Sequence, residues 1–160
     1  MFEGISVAVV TPFVNDAVDE AGLRRVVRHL LDQGVEGVVA TGSTGEGSAL
    51  TDAERDRVGR ICVETCGAEA WVLAGTGAGS TAATVAATRR AREAGVQGAL
   101  VVTPPYAKPG QDALRQHFTR VADEGGLPVV LYNVPGRAAV NLLPPTVCKL
   151  AQQEQIVAIK

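Results

Sequence analysis

The sequence predicts an α/β fold, and three observations support this class. Six short runs rich in β-branched residues alternate with five longer stretches of helical periodicity. The six runs are almost continuously apolar, which is typical of parallel strands covered by helices on both faces. The runs begin at intervals of about 30 residues, which is the size of one βα unit.

The predicted elements follow one another in a regular order. The strands are predicted at residues 5–10, 35–41, 71–75, 97–103, 128–132 and 155–160. The helices are predicted at residues 20–33, 51–66, 81–94, 112–123 and 144–152. Thr51 and Glu54 form a capping-box pattern, and Ser80 or Thr81 can cap the third helix. A glycine follows each of three predicted helices, at Gly34, Gly67 and Gly95.

The length of 160 residues allows two arrangements of these elements. One is a complete doubly wound domain with five or six strands. The other is a (β/α)8 barrel of typically ~250 residues, of which this chain supplies six strands. Length alone favours the complete doubly wound domain.

The composition points to a small-molecule partner. Fifteen basic and seventeen acidic residues give a net charge of −2, and no basic run is present. A nucleic-acid or anionic-membrane surface is therefore not expected. No apolar run approaches the ~18 residues of a spanning helix, and the first residues do not have the pattern of a secretory signal. We expect a cytoplasmic protein.

The cysteines and histidines do not suggest a disulfide framework or a metal site. Cys62, Cys66 and Cys148 are an odd number and include no CxxC pair, and His29 and His117 lie far apart in the sequence. We expect Cys62 and Cys66, one turn apart on a helix, to be packing residues, and His117 to be structural.

Lys160 is the most informative polar residue, because it closes the last apolar run. Strand alternation places it on the face of Ala158 and Ile156, and in a barrel one strand face is the packed interior. Burial there disfavours the ammonium form and would lower the lysine pKa from ~10.4 toward 7–8. A neutral amine can attack a ketone and form an imine. Considered alone, Lys160 is better explained as a strand-end lysine that reaches solvent than as a nucleophile.

Other polar residues follow the remaining strands, where α/β enzymes place their functional groups. Tyr132 could transfer protons beside the amine, and Ser43 and Thr44 add hydroxyl groups in a glycine-rich turn where backbone N–H groups can approach a carboxylate. Arg137 offers a guanidinium group for a second carboxylate. Each also has a structural explanation, as a core tyrosine, a helix-capping turn or a surface charge. Their shared position at strand ends favours a site.

A second glycine pattern only partly matches the motif of a different function. Residues 75–79, Gly-Thr-Gly-Ala-Gly, follow a strand as a dinucleotide-binding turn does. Ser80 stands where that motif needs its third glycine, and no acidic residue ends the next strand. A nucleotide-binding doubly wound module remains an alternative, as does a barrel fragment without activity.

The ordered motifs resemble the amino-terminal part of the dihydrodipicolinate synthases, within the pyruvate-dependent class I aldolase superfamily. The resemblance is collinear from Phe2 to Lys160. It rests on VTPF at residues 10–13, GSTGE at 42–46, AGTG at 74–77, TPPY at 103–106, YNVP at 132–135 and IK at 159–160.

The resemblance implies a (β/α)8 barrel truncated after its sixth strand, occupying residues 1–160 as one incomplete domain without its last two βα units. It further implies an enzyme without a separate cofactor, in which Lys160 forms a Schiff base with pyruvate. The enamine then attacks aspartate 4-semialdehyde, a step of lysine and diaminopimelate synthesis. The implied enzyme is a homotetramer, a dimer of dimers. We expect the isolated segment to be unstable or prone to associate, and inactive.

Individual roles are also implied by the resemblance. Tyr132 transfers protons and is linked to the hydroxyl of Ser43 and to Tyr106, which reaches in from a neighbouring subunit. Thr44 and the adjacent backbone at Gly42 hold the pyruvate carboxylate. Arg137 holds the carboxylate of the semialdehyde.

Two departures from the family pattern are visible. Ser43 replaces the usual threonine and matches the N-acetylneuraminate lyases, so an aldolase or lyase acting on sugar acids is an alternative. The positions that bind the feedback inhibitor lysine in sensitive members are Asp52, Arg55, Ala83 and Pro105 here, in place of histidines, a glutamate and a tyrosine. We expect insensitivity to lysine.

Overall fold

The computed structural model describes residues 2–160 and divides them into two compact units. The first unit runs to Gly75 and also includes Glu93–Gln97. The second unit consists of Thr76–Arg92 and Gly98–Lys160. Each unit contains three strands of the predicted series, and all three are parallel to their neighbours within the unit.

The first unit contains the chain's first five strands and two helices. In chain order they are β1 (Ser6–Ala8), β2 (Phe13–Val14), β3 (Ala17–Val18), α1 (Glu20–Asp32), β4 (Gly37–Ala40), α2 (Asp52–Cys66) and β5 (Trp71–Gly75). The sheet has β4 at its centre, with Val38 opposite Val7 of β1 and Val72 of β5. All four residues of β4 are buried, which explains the continuous apolar pattern of this run.

The helices of the first unit begin where the sequence indicates. Thr51 accepts a hydrogen bond from the backbone N–H of Glu54 at 3.3 Å, and the Glu54 carboxylate accepts one from the Thr51 N–H at 2.8 Å. The predicted capping box is therefore present. Asp19 caps α1 by accepting from the Gly22 N–H at 2.8 Å. The cap of α1 was not predicted, although aspartate is a favoured residue there.

The second unit contains four helices and three strands. In chain order they are α3 (Thr81–Glu93), β6 (Gly98–Val102), α4 (Gln111–Gly125), β7 (Val129–Tyr132), α5 (Pro135–Ala138), α6 (Pro144–Leu150) and β8 (Ile156–Ile159). The sheet has β7 at its centre, with Val129 opposite Ala99 of β6 and Ile156 of β8. Phe118 and Leu114 of α4 are fully buried and anchor this helix in the core.

The structure contains the six predicted strands and five predicted helices, most of them shorter than predicted by a few residues at their ends. Two small features were not predicted. The β2–β3 hairpin turns at Asn15 and Asp16, both at positive φ, as a two-residue hairpin turn requires. The other feature is α5, a single turn that begins with Pro135, a residue favoured at the first helical position.

The cysteines show the burial expected of packing residues. Cys62 and Cys66 are buried on α2, and burial raises the pKa of the Cys62 thiol to about 12 and that of Cys66 to about 11. Thiols with such raised pKa values are unreactive at neutral pH. No helix among residues 2–160 is both long enough and apolar enough to cross a membrane.

Candidate active site

Lys160 directly follows β8 and lies beside Tyr132, the last residue of β7. The Lys160 Nζ atom lies 5.1 Å from the centroid of the Tyr132 ring, over its face. The Lys160 N–H donates to the Leu131 carbonyl at 2.8 Å, and the Lys160 carbonyl accepts from the Asn133 N–H at 2.9 Å. These two bonds extend the strand pairing through Lys160 and hold its backbone level with Tyr132.

The surroundings of Lys160 differ from the sequence-based expectation. The side chain is exposed, as are the last three residues of β8, because β8 pairs only with β7 among the described strands. Lys160 therefore does not lie in a packed interior in this chain. A register irregularity also places Ile156 opposite Val129 and Ala158 opposite Val130. Consecutive residues of a strand face opposite sides, so Lys160 shares a face with Ala158 but not with Ile156.

Arg137 lies on α5, the short turn that follows Tyr132, and its side chain is exposed. The backbone N–H groups of Arg137 and Ala138 both donate to the Val134 carbonyl at 2.9 Å. Ala138 is buried and anchors the turn. The guanidinium group is thus carried on the loop that leaves the strand containing Tyr132.

Tyr106 lies in the loop that follows β6. Its side chain is 95% exposed and its φ is 70°, a value that non-glycine residues rarely adopt. The end of β6 is joined to β7, since the Thr103 N–H donates to the Tyr132 carbonyl at 3.1 Å. The Tyr106 ring therefore extends into solvent from a loop whose base is fixed beside Tyr132.

Gly42, Ser43 and Thr44 form a tight turn after β4 in the first unit. The Gly47 N–H donates to the Gly42 carbonyl at 3.1 Å, and the Thr11 hydroxyl donates to the Gly45 carbonyl at 2.7 Å. The side chains of Ser43 and Thr44 are exposed on this turn. The turn therefore presents two hydroxyl groups on a backbone that is fixed from both sides.

Thr41, which was not predicted to be important, controls how the chain enters this turn. It is buried and has a φ of 53°, which is unfavourable for a β-branched residue. Its carbonyl lies where a side chain on Gly47 or Gly75 would be: a Cβ at either position would come within 2.5 Å of the Thr41 oxygen. The only sequence signal for this arrangement is the pair of glycines.

The glycines at 75 and 77 are explained by close packing. Gly75 lies against the Thr41 carbonyl, and a Cβ on Gly77 would lie 2.7 Å from the Val102 backbone nitrogen. Both glycines are thus needed where one chain segment contacts another. The dinucleotide-binding interpretation of residues 75–79 loses its support, because these contacts account for the first two glycines of the motif.

The sequence as a whole was compared with known proteins. Residues 1–160 match the sequence model of the Dihydrodipicolinate synthetase family. The chain belongs to this family. The family confirms the (β/α)8 barrel class, of which this chain has six strands, and the doubly wound domain favoured by length alone is wrong.

Individual relatives agree with this assignment. The 4-hydroxy-tetrahydrodipicolinate synthase of Citrifermentans bemidjiense is 49% identical over 160 residues, covering 100% of this chain and 55% of that protein. That of Xanthomonas axonopodis pv. citri is 52% identical over 158 residues, covering 98% and 52%. The chain thus spans about half the length of these curated relatives.

A solved structure supports the fold in three dimensions. The chloride-inhibited dihydrodipicolinate synthase of Acinetobacter baumannii, crystallised in complex with pyruvate, is 40% identical. It matches with a TM-score of 0.97, covering 100% of this chain and 55% of that one.

Proposed function

We propose that this chain is the amino-terminal part of a 4-hydroxy-tetrahydrodipicolinate synthase, which condenses pyruvate with aspartate 4-semialdehyde. The observation that carries the proposal is Lys160 Nζ beside the Tyr132 ring, 5.1 Å from its centroid. A strand-end amine next to a phenol is the pair of groups that imine formation needs, since one attacks the ketone and the other transfers protons. Family membership and the names of the relatives agree with it.

The proposed reaction begins at the keto carbon of pyruvate. The neutral Lys160 amine attacks this carbon to form a carbinolamine, which loses water to give an imine. The iminium acidifies the adjacent methyl group, and loss of a proton leaves an enamine. The enamine carbon bonds to the aldehyde carbon of the semialdehyde, and the product cyclises as its own amine displaces Lys160. Tyr132 carries protons in the steps that form and break the imine.

The remaining roles in the proposal concern anion binding and proton transfer. The family resemblance assigns Thr44 and the backbone at Gly42 to the pyruvate carboxylate, and Ser43 to the proton relay of Tyr132. Arg137 holds the carboxylate of the semialdehyde through its guanidinium group. The exposed ring of Tyr106 supports a role in which it reaches a neighbouring subunit of a cytoplasmic homotetramer.

The exposed Lys160 supports a further part of the proposal. In this chain its side chain is exposed, because β8 pairs only with β7 among the described strands. We therefore expect the segment of 160 residues to be inactive without the remaining length that its relatives have.

One residue favours a second candidate within the same chemistry. Ser43 is the residue that the N-acetylneuraminate lyases carry at this position, and its hydroxyl is compatible with either acceptor. Coupled assays with aspartate semialdehyde, sialic acid and keto-deoxy sugar acids separate the candidates. If the protein turns over a sugar acid and does not turn over aspartate semialdehyde, it is a lyase of sugar acids and not the proposed synthase.

Borohydride trapping tests the Schiff base directly. The full-length protein is incubated with pyruvate and sodium borohydride, digested and analysed by mass spectrometry. We expect a reduced adduct on Lys160 that disappears in Lys160→Ala and persists in Lys149→Ala, an exposed lysine on α6. A folded wild-type protein without an adduct on Lys160 would contradict the proposed function.

A further inference from the structure

The segment between β7 and α6 forms a loop whose two ends are tied together by one side chain. The loop spans residues 134–143 and carries α5 with Arg137. The Asn133 side-chain oxygen accepts from the Leu142 N–H at 3.0 Å, and its amide nitrogen donates to the Asn141 side-chain oxygen at 2.8 Å and to the Leu142 carbonyl at 3.3 Å. Asn133 thus closes the loop at its base.

A second amide side chain holds the same base from α4. The Gln111 amide nitrogen donates to the Asn141 carbonyl at 2.8 Å. Its oxygen accepts from the Leu143 N–H at 3.0 Å and from the Thr146 hydroxyl at 2.7 Å. We call the side chains of Gln111 and Asn133 the amide clasp.

The chemistry of the clasp requires neutral amides. The backbone N–H groups of Leu142 and Leu143 can only donate, so they fix the amide oxygens of Asn133 and Gln111 toward them. The two amide nitrogens must then face carbonyl oxygens, which can only accept. A carboxylate at either position would place an acceptor against an acceptor.

The turn that carries Arg137 is too short to be stable by itself. Isolated helices of a few residues do not persist in water, and α5 has four residues. Arg137 itself is exposed, so its position depends on the backbone that carries it. Ala138 and Leu142 are buried, and Leu142 is the residue whose backbone bonds to Asn133. The amide clasp therefore fixes the position of the loop segment that ends at Leu142 and carries Arg137.

Asn133 also connects the loop to the nucleophile. Its backbone N–H donates to the Lys160 carbonyl at 2.9 Å while its side chain holds residues 141 and 142. One residue thus relates the position of the loop carrying Arg137 to the strand end carrying Lys160.

We propose that Gln111 and Asn133 are positioning residues for the acceptor substrate: by closing the loop, they hold the Arg137 guanidinium at the distance from Lys160 that an anionic acceptor requires. This inference rests on the proposed function for the identity of the acceptor. The positioning itself concerns Arg137 and any carboxylate that it holds.

The test uses Asn133→Asp and Gln111→Glu in the full-length protein. We expect the KM for aspartate semialdehyde to rise about tenfold, the effect of losing one or two hydrogen bonds. The KM for pyruvate and the borohydride adduct on Lys160 should not change. Gln153→Ala is the matched control, because Gln153 donates to the Thr119 hydroxyl at 2.7 Å in the same unit, away from the loop.

A double-mutant cycle separates positioning from a general loss of structure. In an Arg137→Ala background, Asn133→Asp should cause no further rise in the KM of the acceptor. An equal rise in the KM for pyruvate, or an undiminished effect without Arg137, would overturn the inference.

Hydrogen exchange distinguishes failure of this inference from failure of the proposed function. Exchange at residues 134–143 should accelerate in both clasp variants and stay unchanged in Gln153→Ala. Absence of a Lys160 adduct in the wild type would contradict the proposed function alone. Unchanged exchange in both clasp variants would overturn the positioning role, whatever the substrate.

Discussion

The Lys160 Nζ atom lies over the face of the Tyr132 ring, 5.1 Å from its centroid, at the ends of two adjacent parallel strands. The arrangement depends on backbone pairing, since the Lys160 N–H donates to the Leu131 carbonyl at 2.8 Å. The side-chain rotamers of Lys160 and Tyr132 set the distance between the amine and the ring. The strand register places the two residues side by side, so that this contact is possible.

Substitution of Tyr132 can test the role of its hydroxyl group separately from the role of its ring. Tyr132→Phe keeps the ring face beside Lys160 and removes the hydroxyl that the proposal uses for proton transfer. We expect kcat of the full-length protein to fall by about 10²–10⁴-fold, with the KM for pyruvate little changed. Tyr132→Leu, which also removes the ring, should in addition impair the binding of pyruvate. A Tyr132→Phe variant with wild-type kcat would show that the phenol transfers no proton.

The close approach of Gly47 to Thr41 predicts a stability effect. A Cβ at position 47 would lie 2.0 Å from the Thr41 carbonyl oxygen, so Gly47→Ala must displace the backbone of this turn. We expect a loss of about 1–3 kcal/mol in the free energy of unfolding, measured in urea. Gly79→Ala is the control, because no atom lies within 4 Å of a Cβ there. Equal free energies of unfolding for Gly47→Ala and Gly79→Ala would contradict the close contact between position 47 and the Thr41 carbonyl.

His117 predicts a dependence of stability on pH. It is buried on α4 with Nδ1 2.9 Å from the Thr81 hydroxyl, and burial lowers its pKa to about 4 from an unfolded value of 6.5. The unfolded state therefore binds a proton first as the pH falls. Stability due to neutral His117 is complete above pH 6.5 and is lost between about pH 6.5 and 4, by up to about 1.4 kcal/mol per pH unit.

Urea unfolding between pH 7 and pH 4.5 checks this expectation. His117→Asn keeps a polar group that can bond to the Thr81 hydroxyl but cannot be protonated, so its stability should decline less steeply than that of the wild type. His29→Asn, at an exposed position on α1, should leave the wild-type slope unchanged. If the free energy of unfolding declines equally steeply with pH in His117→Asn and in the wild type, the pH dependence does not come from His117.

Feedback inhibition offers a test of the residues that differ from the family pattern. The resemblance implies that the lysine-binding positions of sensitive members are Asp52, Arg55, Ala83 and Pro105 here, and neither Ala83 nor Pro105 has a charged or phenolic side chain. A lysine molecule would find no partner for its ammonium group at Ala83. We expect the full-length enzyme to keep its activity in millimolar lysine, measured in a coupled assay with saturating pyruvate. Clear inhibition would show that other residues bind lysine.

Much of the fold could be predicted because its signals are local. The strands are recognisable as apolar runs, and Thr51 and Glu54 form the predicted capping box within four residues of each other. The hairpin and α5 were missed because they are shorter than the windows in which periodicity can be detected. Asn15 and Asp16 were the available signal for the hairpin.

The candidate site was predictable only in part. Lys160 and Tyr132 could be identified because each ends an apolar run. Thr41, Gln111 and Asn133 could not be identified in this way, because their roles depend on partners distant in sequence. The Thr41 carbonyl packs against Gly75, and the Gln111 side chain bonds to the Asn141 carbonyl, 30 residues away.

The sequence by itself determined the class of fold, the order of its elements and the residues that end each strand. These follow from hydrophobic pattern and local capping, which act over a few residues. Tertiary structure alone decided the strained conformation of Thr41, the closure of the loop that carries Arg137 and the exposure of Lys160. Each depends on which segments pack together, and Lys160 is exposed because β8 has a neighbour on one side only among the described strands.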